Sequence, residues 1–374
     1  MPATIDLSAL HHNLGIARDR APGAAVLVAV KANAYGHGAV AVARALQSWS
    51  DEHPDDPYRL GVALVREGQQ LREAGITLPI LKLSHCTASE VDDAVAAGLT
   101  LTVVDEATIM QAEGAAARAG VRVPVHLKLD SGMGRIGSPL AAAVELAQAV
   151  DAAPHLELEG VFTHLPSADQ PSSDAFTAEE LDRFGAAVDH LVAARGEVRF
   201  VHASNSAAVL RHHRDRFTLV RPGIMAYGYS PDPSTMPEPE LRPVLSWTTE
   251  LTFVKHVTAG TTIGYGRTWT APRGTWIGTI AVGYGDGWSR LNGNRGHVLV
   301  GGRRVPVVGR VCMDQSMIDL GVEPPGVAVG DEVVLIGRSG DESLTADDLA
   351  DLMGTISYEV LCLVGSRVPR VVLG

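Results

Sequence analysis

Along the first 224 residues, short wholly apolar runs alternate with longer stretches whose apolar positions recur every three or four residues. The runs are VLVAV (26–30), LGVAL (60–64), PILKL (79–83), TLTVV (100–104), VHLKL (125–129), LEGVF (158–162), FVHAS (200–204) and FTLVR (217–221). Between them lie patterns such as GAVAVARALQ, REGQQLREAG, SEVDDAVAAG and AEELDRFGAAVDHLVAARG, whose spacing is helical. Apolar runs of this kind predict strands covered on both faces, as in a parallel sheet flanked by helices. Eight of them in about 200 residues predict a closed (β/α)8 TIM barrel, with an open doubly wound sheet as the rival plan.

The texture changes at SPDPSTMPEPELRP (230–243), where the density of proline and acid excludes a helix or a central strand and predicts a linker. Beyond it, VLSWTTELTFVKHV, TWIGTIAVGYG, GHVLVGGRRVPVVGRV, SMIDL and DEVVLIG are β-rich runs parted by glycine-rich turns. One helix is predicted there, TADDLADLMG, with Thr345 and Asp348 spaced as a near capping box. The chain therefore divides into an α/β barrel domain, residues 1–235, and a mostly-β C-terminal domain, residues 236–374. The extreme N-terminal strand is able to pack on the second of these.

Composition narrows the function. A net charge of −12 over 374 residues argues against a nucleic-acid partner, which needs a basic surface. No apolar run approaches the ~20 residues that span a bilayer, and MPATIDLSAL lacks the features of a secretory signal. Cys86, Cys312 and Cys362 have no CxxC spacing, which fits a reducing cytoplasm and neither a metal finger nor a disulfide framework. The 14 histidines include no helical pair of metal-binding type, so no metal is expected; His11–His12 and His212–His213 read as surface residues.

Candidate chemistry follows from the barrel itself, because such barrels place function at the C-terminal ends of their strands. Lys31 ends the first strand, directly after the six apolar residues AVLVAV. Lys128 and Asp130 end the fifth, His164 follows the sixth, Asn205 and Ser206 follow the seventh, and Arg221 ends the eighth. After strands seven and eight, NSAAVL opens a helix and RPGI offers a glycine, a setting for an organic phosphate. A lysine across from a phosphate grip suits pyridoxal phosphate (PLP) held through the lysine amine; the competing reading of Lys31 is a strand-end lysine reaching for solvent. GMGRIG (132–137) also fits a dinucleotide motif, but it follows the fifth strand and not the first.

Nine blocks spread over the chain are TIDLSALHHNL, AVKANAYGHG, LKLDSGMGRIG, ASNSA, RPGIMAYG, TIGYGRTW, VGYGDG, GRVCMDQ and YEVLCLVGSRVPRV. Through them the chain resembles the alanine racemase family almost end to end. The resemblance implies a PLP-dependent racemase interconverting L- and D-alanine for peptidoglycan, acting as a homodimer. Lys31 would hold PLP and move the α-proton on one face; Tyr265, from the partner subunit, would act on the other. Two opposed bases suit racemisation, which removes a proton from one side of Cα and returns it to the other.

The same resemblance implies Arg221 at the pyridine nitrogen and Arg135 at the cofactor's phenolic oxygen, with Lys128 a carbamylated lysine that orients it. His164 would join Arg221 in a network near the tyrosine. Tyr35, Ser206, Gly223, Ile224 and Tyr358 match the phosphate grip, and Asn205 falls among these cofactor groups. Met313 and Asp314, with Arg135, match the strip that recognises the substrate carboxylate. Asp169, Tyr284, Arg290 and Arg310 match a polar access corridor. The chain departs from the family at Leu165–Pro166–Ser167, beside substrate access, and at Ser204. A racemase of another amino acid such as serine is therefore the first alternative. A PLP-binding barrel without enzymatic work is disfavoured by the complete C-terminal motifs, and a decarboxylase by the sign of Arg221, since those enzymes put an acid at the pyridine nitrogen.

Overall fold

Two units of structure emerge in the computed structural model, which describes residues 1–214, 216–236, 240–324 and 326–374. One comprises Ala9–Ala34 and Gly38–Arg242; the other comprises Met1–Ser8, Tyr35–His37 and Pro243–Gly374.

The larger unit is the barrel. Counting β1 as Ala3–Asp6 in the other unit, its strands are β2 (Ala25–Ala29), β3 (Arg59–Val62), β4 (Ile80–His85), β5 (Thr100–Val103), β6 (Val123–Asp130), a two-residue β7 (Ser138–Pro139), β8 (Leu156–Phe162), β9 (Phe200–His202) and β10 (Leu219–Val220). They pair in parallel in the order β10-β2-β3-β4-β5-β6-β8-β9, with β7 on β6. The circle is nearly closed. β9 and β10 share no ladder among the described residues, but Arg221 N–H reaches Ser204 O at 2.9 Å, and Thr218 Oγ1 ties Val201 to Arg199. Leu27, Leu81, Phe200 and Leu219 from four strands form one apolar cluster of its core.

Local chemistry sets the helices around it. Asp105 caps Glu106–Ala119 by accepting from Thr108 N–H, and Gly120 ends it in the left-handed region. The acidic segment 51–57 is mostly exposed, with Asp56 paired to Arg18. The predicted linker is partly structured: Ser230 donates to Met236 O at 2.5 Å, Met236 is buried, and Thr235 donates to Asp169 O at 3.1 Å. Its stretch 237–239 lies outside the described residues. The paired histidines are half-buried at the surface; His12 holds Glu240 O at 2.8 Å.

The second unit is a sheet built around β11 (Leu245–Val257), a 13-residue strand. With β12 (Thr262–Ile263), β13 (Trp269–Thr270), β14 (Thr275–Ile280), β15 (His297–Val300), β16 (Arg303–Pro306), β17 (Ser316–Gly321), β18 (Glu332–Ser339), β19 (Glu342–Leu344) and β20 (Arg370–Leu373), it accounts for the β-rich sequence. One path runs β16-β15-β18-β11-β1-β20; β14 and β17 continue from the far half of β11. A register shift between Leu251 and Phe253 lets that one strand serve both halves. The N-terminal strand β1 lies antiparallel to β11 and parallel to β20. Trp247 and Trp288, both buried, meet edge to face with ring centroids 6.1 Å apart. Thr345 and Asp348 form the anticipated capping box on Ala346–Met353, and a second helix, Ser357–Leu363, is additional to the single one predicted.

Candidate active site

The barrel mouth gathers basic groups. Lys31 follows β2 directly and starts a turn of the wrong hand: Ala32, Asn33 and Ala34 have φ of 52°, 54° and 54°, and Tyr35 has 53°. None is glycine, and each such residue costs on the order of 1–2 kcal/mol. The turn is held from several sides. Ala32 N–H donates to Glu67 Oε1 at 2.7 Å, Gly38 N–H to Asn33 O at 2.9 Å, and Ala39 N–H to Asn33 Oδ1 at 2.9 Å. Glu67 was not among the sequence-derived candidates, yet its other oxygen also caps the helix Val65–Glu73 through Ala63 and Leu64.

Arg221 is buried at the end of β10. Its Nη2 donates to Thr163 O and Ala203 O, both at 2.9 Å, and lies 3.4 Å from His164 Nδ1; its Nη1 donates to His202 Nδ1 at 2.8 Å. Nε is engaged by none of the described residues. Burial lowers the Arg221 guanidinium to about 9, which leaves it cationic at neutral pH. Burial, then the charges of Arg221 and Arg135, lower Lys128 to about 8. The same causes, with Lys128 and Lys31 added, hold His164 well below the usual histidine range, so its imidazole is neutral. Lys31, Lys128, Arg135, His164 and Arg221 thus act on one another across one mouth.

Arg135 stands exposed on the loop after β6. The Asp130 carboxylate shapes that loop by accepting from Gly132 and Gly134 N–H at 2.9–3.1 Å. Gly137, at φ +140°, lies so close to Asp130 N and Leu129 C that a Cβ would come within 2.8 Å of both. The glycines of GMGRIG therefore serve the geometry of the loop. On the opposite side, Asn205 caps Ser206–Arg211 by accepting from Ala208 N–H at 3.1 Å and donates to Leu165 O at 3.3 Å. Ser206 Oγ accepts from Gly223 N–H at 2.8 Å and from Met225 N–H at 3.4 Å, which fixes Gly223 and Ile224 against that helix start. Leu165 of the unusual Leu165–Pro166–Ser167 segment is buried, and Asp169 follows on the same loop.

The second unit carries the remaining candidates. Tyr35 and Tyr358 face each other with ring centroids 6.1 Å apart, and burial raises the Tyr35 phenol far above its ordinary value. Tyr265 sits at the tip joining β12 to β13, between Gly264 and Gly266, both at φ 72°, and is 71% exposed. A Cβ on Gly266 would meet Arg310 Nη1 at 2.8 Å, so Arg310 lies beside the tyrosine's turn. The loop with Tyr284 is zipped to Cys312 and Met313 by Tyr284 N–H to Cys312 O at 3.0 Å and Gly285 N–H to Met313 O at 2.9 Å. Arg367 bridges Asp314 at 2.8 Å and Asp286 at 3.2 Å. Arg290, on the short turn Arg290–Asn292, lies near enough to Cys312 to act on its thiol.

A parallel barrel with a lysine-centred cationic mouth, joined in one chain to a β domain that exposes a tyrosine between two glycines, is the plan of an isomerase class acting on amino acids. The chain belongs to the alanine racemase family: the models for "Alanine racemase, N-terminal domain" and "Alanine racemase, C-terminal domain" match residues 5–231 and 244–372. The alanine racemase of Cutibacterium acnes is 51% identical over 372 residues, covering 100% of this chain and 97% of that protein. Among solved structures, the alanine racemase of Clostridium difficile 630 superposes with a TM-score of 0.91 at 34% identity, covering 100% of this chain and 95% of that one. The Bacillus anthracis alanine racemase with bound L-Ala-P gives 0.89 at 36% identity, with coverage of 100% and 95%.

Proposed function

We propose that this chain racemises alanine with pyridoxal phosphate held on Lys31, and that each active site is completed by Tyr265 of a second copy. The observation that carries the reading is the mouth itself, where an amine, two arginines, a second lysine and a neutral histidine converge. These residues fit the cofactor. Arg221 presents a cation whose Nε is unengaged among the described residues, and the Ser206 helix start with Ile224 would supply backbone N–H groups for a phosphate beside Gly223, whose own N–H is held by Ser206 Oγ. When bound, PLP supplies an electron sink that makes the Cα–H of the amino acid acidic.

The chain's own groups then divide the work. The Lys31 amine accepts the α-proton from one face while the Tyr265 phenol donates one to the other, and the reverse reaction exchanges the two roles. Arg221, cationic and held by three acceptors, would disfavour protonation of the ring nitrogen and so limit the sink's strength. That restraint favours return of the proton over side reactions. Lys128, lowered to about 8, has a substantial neutral fraction near pH 7.5, the form that takes up carbon dioxide to become a carbamate beside Arg135.

The exposure of Tyr265, Met313, Leu291 and Ile356 on the β unit supports burial against a second copy. Among the described residues, no helix is long and apolar enough to cross a membrane. The reading places the enzyme in the cytoplasm, supplying D-alanine for peptidoglycan. The test is to reconstitute the protein with PLP and offer L-alanine, D-alanine and L-serine separately, following optical rotation. Racemisation of alanine from both directions is expected. Absence of alanine turnover, or faster turnover of serine, would overturn the assignment.

A further inference from the structure

Behind Arg221, a line of buried polar groups runs through the barrel interior away from the mouth. His202 Nε2 lies 2.8 Å from His126 Nδ1, and His126 Nε2 lies 3.1 Å from Glu159 Oε2. Glu159 is held in turn by Arg59 Nη2, 2.9 Å from one oxygen and 2.7 Å from the other. Both histidines are fully buried, and Arg59 and Glu159 nearly so. At the far end, the exposed Arg199 stands 3.8 Å from Glu159 Oε1.

The packing around this line is specific. The Phe162 ring stacks on His202 with centroids 4.6 Å apart and planes within 3°, and Lys128 and Arg221 both lie over that same ring. Gly160 is where His126 passes β8: a Cβ there would come within 2.5 Å of its Nδ1.

The hydrogen bonds admit one arrangement of protons. A guanidinium only donates, so His202 must offer a lone pair at Nδ1 to Arg221. A neutral His202 then carries its proton on Nε2 and donates to His126 Nδ1. His126 in turn carries its proton on Nε2 and donates to Glu159, which as a carboxylate only accepts. Charging either ring would set a donor against a donor. Burial, with the neighbouring cations, holds His202 well below the usual range and His126 below it, in agreement with two neutral rings. Burial alone would raise Glu159, but the His126 hydrogen bond and the Arg59 charge outweigh it and keep the carboxylate ionised.

We propose that Glu159 is a positioning residue for the racemase centre: acting through His126 and His202, it fixes which ring nitrogens carry protons and thereby presents Arg221 with an acceptor. This rests on the reading of the mouth as a cofactor site and goes beyond it, since Glu159 touches neither substrate nor cofactor. Arg59 has the lesser role of fixing the carboxylate's position. Without the carboxylate, the proton of His126 is free to move to Nδ1. His202 must then accept at Nε2 and carry its proton on Nδ1, directly against Arg221 Nη1. Arg221 keeps Thr163 O and Ala203 O but loses its third fixed acceptor.

The experiment is long-range 1H–15N correlation spectroscopy on protein labelled at the histidine ring nitrogens, without and with PLP, alongside steady-state kinetics. In the wild type, His126 and His202 should both be Nε2–H tautomers in both forms. E159Q keeps an acceptor for His126, so it should retain those tautomers and keep kcat within about threefold. E159L should shift both tautomers and lower kcat at least about tenfold, with KM for alanine changed less than about threefold. If E159L does not fold, the double variant R59M/E159M removes both charges together and poses the same question. Wild-type tautomers and kcat in the leucine or double variant would overturn the proposal, as would E159Q being as impaired as E159L. A wild-type protein that fails to racemise alanine would sink the functional reading alone, because the tautomers of the PLP-free protein still judge the relay.

Discussion

Replacing Glu180 by glutamine should stabilise the barrel above neutral pH and leave it unchanged in acid. Glu180 lies on the helix Asp174–Arg195, fully buried, with its Oε1 against the backbone of Gly132 so closely that a Cβ there would come within 2.1 Å. Neither carboxyl oxygen has a hydrogen bond of normal geometry among the described residues. Burial, reinforced by the Asp130 charge, raises this carboxyl to about 7, although Arg183 and Ser131 pull the other way. The group under the Arg135 loop is therefore a neutral acid below neutral pH and about half ionised near pH 7. Arg183, one turn on, holds the same loop by donating to Ser131 O at 3.1 Å.

The sign follows from proton counting. Between the ordinary value of 4.5 and about 7, the folded chain binds this proton and the unfolded chain has lost it, so stability falls as pH rises through that window. The full shift corresponds to roughly 3 kcal/mol. That is an upper bound, because Asp130 is partly exposed and solvent screens its share; a loss of about 1–3 kcal/mol is expected. Glutamine has nearly the same shape and no charge to desolvate. Urea unfolding of the wild type and Glu180→Gln should then agree within about 0.5 kcal/mol near pH 4, and the variant should be more stable by about 1–3 kcal/mol near pH 8.5. If unfolding is not two-state, the difference in apparent Tm between the proteins, followed against pH, carries the same information. A gap that does not change with pH would refute the reasoning, since simple packing has no proton to exchange.

Three further outcomes are expected. Gly137→Ala places a Cβ against the backbone of Leu129 and Asp130 at φ +140°, so thermal unfolding should show a loss of about 3 kcal/mol or more; a neutral substitution would mean the loop can shift freely. Lys31→Ala should remove both alanine turnover and the near-visible absorption of PLP bound to protein, and retained activity would take Lys31 out of the mechanism. Tyr265 is 71% exposed, so Tyr265→Ala should fold normally yet lose solvent-deuterium incorporation far more from one enantiomer of alanine than from the other. Equal loss from both would count against two opposed bases.

The barrel was legible because a strand buried on both faces leaves an uninterrupted apolar run, and because strand ends in such a barrel converge. Lys31, Lys128, His164 and Arg221 could be grouped on position alone. The relay behind them could not. In VHLKL, LEGVF and FVHAS a polar residue inside a buried run points either to the barrel axis or to the surrounding helices, and a short run does not reveal which phase faces inward. Its partners are also remote in sequence, 76 residues apart for His126 and His202 and 100 for Arg59 and Glu159. The second helix of the β unit, Ser357–Leu363, has no side-chain cap to announce it.

The turn after Lys31 was hidden for a different reason. Left-handed backbone is usually signalled by glycine or asparagine, but here Ala32, Ala34 and Tyr35 adopt it beside one asparagine. Asn33 tolerates that conformation, but the alanines and the tyrosine do not favour it. It persists because Glu67, from outside the turn, satisfies Ala32 N–H, while the Asn33 side chain ties the turn to the following helix through Ala39 N–H. A lysine at the end of a strand would ordinarily be free to follow the chain into solvent. A strained turn fixed by distant acceptors instead holds the Lys31 backbone in one direction, which is the constraint a base must have if it is to meet only one face of its substrate.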